Sequence, residues 1–205
     1  MNNTNPVLGI IGGGQLGSML VSAAKKLKIK TIILSDDQKA PAKNFSDETI
    51  ITNYDNLKKI DDFISKVDFV TFEFENIPSN VLEYISKHKP VHPKPSINQI
   101  VQNRFTEKKF VNKQGIKTAN YALIKNKSDL VKNENLLPGF LKTCTLGYDG
   151  KGQHILNNKD EISDLNIDFK KEYILEKKIN LQKEISIIIT RSVSYTHLRA
   201  HETRH

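Results

Sequence analysis

A glycine-rich segment in the second half of the chain carries residue types that bind phosphate groups. Gly147-Tyr148-Asp149-Gly150-Lys151-Gly152-Gln153 lies between two β-prone segments, and Lys142 precedes it. A glycine turn between strands can donate backbone N–H groups to phosphates while lysines supply positive charge. It is not a Walker A loop, which places Gly-Lys-Ser/Thr at the start of a helix. The segment therefore predicts a nucleotide site, with an ordinary β-hairpin carrying surface lysines as the alternative.

A second glycine-rich segment lies near the start of the chain. Gly12-Gly13-Gly14-Gln15-Leu16-Gly17 follows the apolar segment Val7–Ile11 and precedes a helical apolar pattern, and Asp36 ends the next β-prone segment. This order fits the G-x-G-x-x-G pattern of dinucleotide-binding domains, in which a helix N-terminus attracts negative charge. Many doubly wound domains use the same turn only to pack a helix against a strand. We favour that packing role and keep NAD binding as the alternative.

Carboxylates follow several of the β-prone segments. Glu73 and Glu75 share one face of the predicted strand 69–74, which breaks at Asn76-Ile77-Pro78. Glu176 ends one later β-prone segment and Glu184 begins another, and by residue type alone they would be surface carboxylates. Residue type therefore gives none of these carboxylates a role.

The elements that must position these residues fall into two regions. The first glycine turn sits in a strand–helix–strand unit, which sets its strands parallel and predicts an α/β domain over residues 1–95. Ser96 and Gln99 form a capping-box signal, and the apolar spacing that follows predicts one linker helix over 96–115. Short β-prone pieces then predict a small antiparallel sheet over 116–191. These pieces are Tyr121–Ile124, Phe140–Cys144, His154–Leu156, Tyr173–Glu176 and Glu184–Thr190, with a short helix near Ser128–Lys132.

Composition limits the classes of function. The net charge is +8, but the lysines are spread along all 205 residues without a dense basic run, which indicates a solvated surface and no nucleic-acid partner. The excess positive charge favours anionic small ligands. The lone Cys144 fits a reducing compartment, and no apolar run reaches the ~20 residues that span a bilayer. We therefore expect a cytoplasmic protein with no membrane partner.

The last fourteen residues, Ser192–His205, differ in composition from the rest. They hold two of the four arginines and three of the six histidines. His197 and His201 have the i, i+4 spacing of a helical metal site, which is one interpretation. The string Ser194–Thr203 instead resembles a translated sequencing adapter joined to a broken reading frame. We predict that 192–205 is a non-native tail and exclude it from the fold.

Three segments together resemble one protein family. Gly12–Gly17, Thr71-Phe72-Glu73-Phe74-Glu75-Asn76-Ile77-Pro78 and Gly147–Gln153 are similar to signatures of the N5-carboxyaminoimidazole ribonucleotide synthetases, ATP-grasp ligases of purine biosynthesis, and follow that family's order. The resemblance covers Val7 to about Arg191. It implies a Rossmann-like preATP-grasp domain followed by the small α+β lid subdomain of an ATP-grasp fold. The C-terminal half of that fold is expected to be absent.

The resemblance also implies an ATP site. Asn103-Arg104 matches a family Asp-Arg pair whose arginine contacts ATP phosphate, with Asn103 in place of the aspartate. Lys142 matches the lysine that approaches the nucleotide phosphates, and Glu176-Lys177-Lys178-Ile179 matches the strand and hinge that hold adenine. Glu184 matches the carboxylate that binds the ribose hydroxyls. The implied ATP-binding residues are Arg104, Lys142, Gly147, Tyr148, Asp149, Gly150, Lys151, Gly152, Gln153, Glu176, Lys177, Lys178, Ile179 and Glu184.

The implied reaction joins bicarbonate to the amine of 5-aminoimidazole ribonucleotide while ATP becomes ADP and phosphate. The resemblance places the ribonucleotide against Tyr148, Asp149, Lys151, Gln15, Leu16 and Glu75. It assigns no catalytic residue and no metal ligand to this chain, because the Mg²⁺ ligands belong to the family's C-terminal half. The resemblance thus implies a fragment that is inactive alone and a homodimer when full length. The alternatives are an NAD-dependent oxidoreductase using Gly12–Gly17 and Asp36, and a nucleotide-binding module without catalysis.

Overall fold

A computed structural model describes residues 6–147, 152–191 and 198–204 of the chain. Its first region is a parallel sheet of β1 (Val7–Ile11), β2 (Lys30–Ser35), β3 (Glu48–Ile51) and β4 (Phe69–Phe72), in the order β3-β2-β1-β4. The helices of this region are α1 (Gln15–Lys26), α2 (Leu57–Lys66) and α3 (Ser79–Ser86), with a 3-10 turn at Pro41–Asn44. The strand–helix–strand prediction is confirmed.

Helices cover both faces of the parallel sheet. On one face, Ile11 and Leu34 pack in a core with Phe63 of α2 and Leu82 of α3. On the other face, Ile10 and Ile33 pack with Val21 of α1 in a smaller core that also includes Ala42. Because successive strand residues point to opposite faces, neighbouring residues of β1 reach different cores. Burial on both faces explains why these strands read as continuous apolar runs.

Two strands of this sheet differ from the sequence prediction. The pattern missed β3, which has four residues and only Ile50 buried, so its apolar signal is short. The strand predicted over 69–74 ends at Phe72. Glu73 still donates its backbone N–H to Ile11 O, at 3.1 Å, but its side chain turns back toward the first glycine segment. The chain therefore leaves the sheet two residues early.

The predicted single linker helix over 96–115 is wrong, because two helices occupy this segment. They are α4 (Pro95–Val101) and α5 (Arg104–Lys113). Asn103 separates them: its side-chain oxygen accepts hydrogen bonds from Phe105 N (2.9 Å) and Thr106 N (3.2 Å) and so starts a new helix. The capping box at Ser96 is also wrong, since Lys94 is the N-cap and makes no side-chain cap hydrogen bond.

The second region is the predicted small antiparallel sheet. Its strands are β5 (Tyr121–Ile124), β6 (Gly139–Thr143), β7 (Gln153–Leu156) and β8 (Tyr173–Lys177), in the order β5-β8-β6-β7. The short helices α6 (Lys127–Lys132) and α7 (Glu161–Asp164) accompany it. The core of this region contains Ile124, Leu130, Leu141, Leu156 and Leu175.

The final strands form a separate hairpin. β9 (Ile185–Arg191) pairs antiparallel with β10 (Leu198–Arg204) and not with the four-stranded sheet, contrary to our prediction for Glu184–Thr190. Residues 198–204 form a strand, so His201 lies in extended backbone and not in the helix of the metal interpretation, and His197 lies outside the described residues. Across the described ranges, no group of three or more His, Cys, Asp or Glu residues could hold a metal ion. None of the helices described here is long and apolar enough to cross a membrane.

Candidate functional site

The first glycine turn is occupied by a carboxylate of the chain itself. Glu73 Oε1 accepts a hydrogen bond from Gly14 N, and Glu73 Oε2 accepts one from Gly17 N, both at 2.7 Å. These N–H groups belong to the N-terminal end of α1, where the helix dipole favours negative charge. In a dinucleotide domain the same groups would face a pyrophosphate. Here the anion at the turn is Glu73.

The glycines of this turn make room for that carboxylate. Gly12 has φ +95°, and a Cβ at this position would lie 2.5 Å from Glu73 Cγ. A Cβ on Gly14 would lie 2.8 Å from Glu73 Oε1. Side chains at either position would therefore collide with Glu73. The turn serves close packing, as we favoured from the sequence, and the two N–H groups are already used within the chain.

The residues predicted to meet the ribonucleotide lie next to this turn. Gln15 and Leu16 form the start of α1 and are exposed, Leu16 by 57%. Glu75 is exposed just beyond β4, and its backbone oxygen accepts a 2.6 Å hydrogen bond from Gln102 Nε2. Adjacent strands β1 and β4 thus bring Gln15, Leu16 and Glu75 to the same edge of the sheet.

Two of the residues predicted to meet ATP, Lys142 and Glu176, form an ion pair, and Lys108 lies beside them. Lys142 Nζ on β6 lies 3.2 Å from Glu176 Oε2. Lys108 Nζ on α5 lies 3.5 Å from the same oxygen. The side chains of Lys142, Lys108 and Glu176 are 27%, 19% and 12% exposed, so the cluster is partly shielded from water. Its two ammonium groups face one carboxylate, which leaves a net positive charge.

Sheet register and two aromatic rings hold this cluster. β6 and β8 pair Phe140 with Glu176, and Lys142 lies two residues beyond Phe140, so all three side chains share one face. Lys142 Nζ lies 5.6 Å from the centroid of the Phe140 ring, and Lys108 Nζ lies 5.8 Å from that of Tyr121. Each ammonium group therefore has a ring that favours positive charge beside it.

Arg104 joins α5 to the segment that follows β6. Its Nη1 donates a hydrogen bond to Thr143 O at 2.9 Å, and its Nη2 donates one to Gly147 O. Its backbone N–H donates to Cys144 O at 2.9 Å. A guanidinium group has five N–H donors, so donors beyond these two remain for a phosphate. The structure thus gives Arg104 a role in holding the start of the glycine loop, which the sequence did not predict.

A cavity of about 310 Å³ lies where the two regions meet. Burial raises the pKa of the Glu107 carboxyl at its wall, and the positive charges of Arg104 and Lys108 oppose that rise. The cavity brings Glu75, which is predicted to meet the ribonucleotide, near Arg104, which is predicted to meet ATP. Its lining consists of Glu75, Val101, Gln102, Arg104, Glu107, Leu146 and Gly147.

The predicted adenine segment uses two of its backbone N–H groups within the chain. Lys177 N donates to Asn120 O and Lys178 N to Pro138 O, both at 2.8 Å, so these N–H groups are used within the chain. Ile179 is 52% exposed and Glu184 is also exposed, just before β9. Reading of a base by this segment therefore cannot use the N–H groups of Lys177 and Lys178.

Part of the glycine loop lies outside the described residues. These are Tyr148, Asp149, Gly150 and Lys151. Of the two ends, Gly147 accepts from Arg104, and Gly152 O accepts from Thr143 N at 3.0 Å. Gln153 begins β7. The loop therefore starts beside the Arg104 contact and ends on the strand next to Lys142.

Sequence reasoning missed three residues of this site. Glu107 and Lys108 lie three and four residues after Arg104, so helical spacing alone could have placed all three on one face of α5. Spacing alone does not show that this face of α5 meets Glu176, which depends on how α5 packs against β8. The role of Glu73 has no comparable sequence signal, because it depends on β4 lying beside β1.

Comparisons with known proteins match both regions. The family model of the ribonucleotide synthetase preATP-grasp domain matches residues 6–102, and that of the ATP-grasp domain matches residues 109–203. Both matches confirm the predicted fold class. The second match extends into the segment 192–205, whose non-native origin stays a prediction, as do our domain boundaries.

Named relatives agree with these domains. N5-carboxyaminoimidazole ribonucleotide synthase from Brucella melitensis is 38% identical over 192 residues, which cover 91% of this chain and 53% of the relative. The crystal structure of N5-carboxyaminoimidazole synthetase from Staphylococcus aureus complexed with ADP is 31% identical, with a TM-score of 0.88 over 100% of this chain and 57% of that one. The Aspergillus clavatus synthase in complex with ADP and 5-aminoimidazole ribonucleotide is 25% identical, with a TM-score of 0.82 over 96% and 52%. The chain spans about half the length of the curated relatives that it matches.

Proposed function

We propose that this chain is part of an ATP-grasp ligase, because its two regions match the ribonucleotide synthetase preATP-grasp domain and the ATP-grasp domain. The protein that contains it joins bicarbonate to the amine of 5-aminoimidazole ribonucleotide. ATP becomes ADP and phosphate, and the product is N5-carboxyaminoimidazole ribonucleotide. The relatives carry this name, and one of them is described in complex with ADP and 5-aminoimidazole ribonucleotide.

The observation that carries the proposal is the cluster of Lys142, Lys108 and Glu176 beside Arg104. Two ammonium groups on one partly buried carboxylate leave a net positive charge where the phosphates of ATP would lie. In such a partly shielded place, positive charge attracts phosphate more strongly than it would in open solvent. The glycine loop begins at the Arg104 contact and ends on the strand that pairs with Lys142.

In this proposal six of the described residues act on ATP or on the ribonucleotide. Lys142 and the remaining N–H donors of Arg104 offset negative charge on the phosphoryl group that moves from ATP to bicarbonate. The amine of the ribonucleotide then attacks the carbonyl carbon of the resulting carboxyphosphate, or the carbon dioxide that carboxyphosphate releases. Phosphate leaves, and the amine nitrogen gives up one proton. Glu184 binds the ribose hydroxyls of ATP, and Gln15, Leu16 and Glu75 orient the ribonucleotide.

The undescribed loop residues Tyr148, Asp149 and Lys151 complete the ribonucleotide side of the proposal. Their backbone and side chains would cover the reacting groups, and exclusion of water protects carboxyphosphate from hydrolysis. These assignments follow from the family resemblance of the loop.

We propose that the Mg²⁺ ligands lie in the part of the relatives that this chain does not span, as the family resemblance implies. Mg²⁺ usually takes one or two protein carboxylates together with substrate phosphates and water. A homodimeric state and a cytoplasmic location are further parts of the proposal, testable by sedimentation and cell fractionation.

The oxidoreductase alternative is disfavoured by Glu73. A dinucleotide would need the N–H groups of Gly14 and Gly17 for its pyrophosphate, and both already bind the Glu73 carboxylate. The alternative of a nucleotide-binding module without catalysis makes the same contacts with ATP as the ligase. Only turnover separates it from the ligase.

The test is ATP hydrolysis by the full-length protein with both co-substrates. We expect ADP to form only when bicarbonate and 5-aminoimidazole ribonucleotide are both present. ATP binding without turnover under these conditions would favour the non-catalytic module. Binding of NAD in preference to ATP, read from thermal shifts, would overturn the ATP site itself.

A further inference from the structure

Glu73 connects the two segments proposed to orient the ribonucleotide: its side chain binds Gly14 and Gly17, on either side of Gln15 and Leu16, and it precedes Glu75 by two residues. We propose that Glu73 is a positioning residue: it fixes Gln15 and Leu16 relative to Glu75 and thereby sets the affinity for the ribonucleotide. This inference rests on the proposed function, which assigns the ribonucleotide to those three residues. It gives Glu73 itself no contact with the substrate.

Two hydrogen bonds to the Glu73 side chain hold the start of α1. Glu73 accepts from Gly14 N and Gly17 N, and Gln15 and Leu16 are the two residues between them. The carboxylate therefore holds the backbone on both sides of these two residues. Both bonds are 2.7 Å long and join a charged acceptor to N–H groups at a helix N-terminus, which is a strong combination.

The main chain connects Glu73 to Glu75 at the end of β4. Glu73 follows β4 directly, and its backbone N–H donates to Ile11 O at 3.1 Å, so main chain and side chain both tie this point to the end of β1 and the turn after it. Glu75 lies two residues further on and is held by Gln102 through its backbone oxygen. A shift of Glu73 would thus move the two sides of the ribonucleotide site relative to each other.

The Glu73 carboxylate fits tightly inside the glycine turn. Cβ atoms at Gly12 and Gly14 would lie within 2.9 Å of Glu73 atoms, so the side chain fills the space inside the turn. Both of its oxygens are already bound to N–H groups of the chain. Because both oxygens are used within the chain, Glu73 acts on the substrate through the turn and not by direct contact.

The experiment uses Glu73→Gln in the full-length protein. The amide keeps the shape of the side chain but presents NH₂ where an oxygen must accept from an N–H group, so one of the two bonds is lost. We expect the KM for 5-aminoimidazole ribonucleotide to rise on the order of tenfold to a hundredfold, because small misplacements of orienting groups have effects of this size. The KM for ATP should change by less than about twofold, because Lys142 and Arg104 do not contact Glu73.

Asp68→Asn is the matched control. Asp68 Oδ2 accepts from Val7 N at 2.8 Å, which ties β4 to β1 at the opposite end of the same two strands. This variant replaces a charged acceptor by a neutral amide oxygen away from the site, which weakens the bond to Val7 N. We expect it to lower the thermal midpoint without changing either KM, which separates positioning from general loss of stability.

Three results would overturn the inference. The first is an unchanged KM for the ribonucleotide in Glu73→Gln, and the second is an equal rise in the KM values for ribonucleotide and ATP. The third is a rise for Asp68→Asn that matches the rise for Glu73→Gln. If Glu73→Gln does not fold, Glu73→Asp replaces it, since the shorter carboxylate cannot reach both N–H groups and should raise the same KM. A wild-type protein that hydrolyses no ATP with this ribonucleotide would instead reject the proposed function, and the inference with it.

Discussion

At the scale of single residues, Lys142 is expected to bind phosphate while adding little to stability. It lies 3.2 Å from Glu176 and is still 27% exposed. Lys142→Ala should weaken ADP binding by about 1.5–3 kcal/mol, the range for a hydrogen bond to a charged group. Calorimetric titration of the full-length protein with ADP measures this.

The control for Lys142 is Lys109→Ala. Lys109 is an exposed lysine on α5, so this variant removes the same charge away from the cluster. Its ADP affinity should stay within about 0.5 kcal/mol of wild type, as for ordinary surface substitutions. If Lys142→Ala is much less stable but its folded fraction binds ADP with wild-type affinity, the role of Lys142 is structural.

Lys108 is expected to act through Glu176. Because Lys108 and Lys142 share Glu176 Oε2, Lys108 can keep this carboxylate paired when Lys142 turns toward a phosphate. Lys108→Met should therefore weaken ADP binding in the wild-type background and have little effect in Glu176→Gln. A double-mutant cycle on ADP affinity should give a coupling on the order of 1 kcal/mol. Equal costs in both backgrounds would mean that Lys108 contacts the nucleotide directly.

At the scale of elements, the break between α4 and α5 is expected to matter for the nucleotide. Asn103 caps α5, and the next residue is Arg104, so the cap places the guanidinium group. Asn103→Ala should reduce the free energy of unfolding by ~1 kcal/mol and also weaken ADP binding. Urea unfolding and calorimetric titration of the same samples measure the two effects.

Asn56→Ala provides the comparison for the cap. Asn56 caps α2 by accepting from Lys59 N at 3.2 Å, and α2 lies in the first region away from the nucleotide residues. We expect a similar loss of stability with unchanged ADP affinity. If both cap variants leave ADP binding intact, the helix break does not position Arg104.

At the scale of the whole molecule, the chain as it stands is expected to self-associate. Four isoleucines of β9 are 47–69% exposed, and among the described strands β9 pairs with β10 alone, so the hairpin presents apolar surface and open strand edges. Sedimentation velocity of the 205-residue chain should show association that grows with concentration. The residues are Ile185, Ile187, Ile188 and Ile189.

A charge on this hairpin should reduce the association. Ile187→Lys breaks the apolar surface, while Ile155→Lys changes an isoleucine that is 54% exposed on β7, in the other sheet. We expect Ile187→Lys to shift the chain toward monomer and Ile155→Lys to have no such effect. Equal effects of the two variants would mean that the hairpin is not the surface that associates.

The sequence by itself determined the local features of this protein. Apolar periodicity and glycine turns predicted the strand–helix–strand unit and the small antiparallel sheet, and three short motifs resembled the family's signatures. These signals all lie within short stretches of chain. The same local signals failed at residues 96–115, where the Asn103 side chain competes with the backbone pattern and starts a second helix.

Only the tertiary structure decided which distant residues meet. Glu73 binds Gly14 across 59 residues of sequence, and Arg104 binds Gly147 across 43. The first contact depends on the strand order that places β4 beside β1, and the second on how α5 packs against the segment after β6. Lys108 reaches Glu176 for the same kind of reason. Strand order and packing are set by the burial of apolar surface over the whole chain, which no short motif encodes.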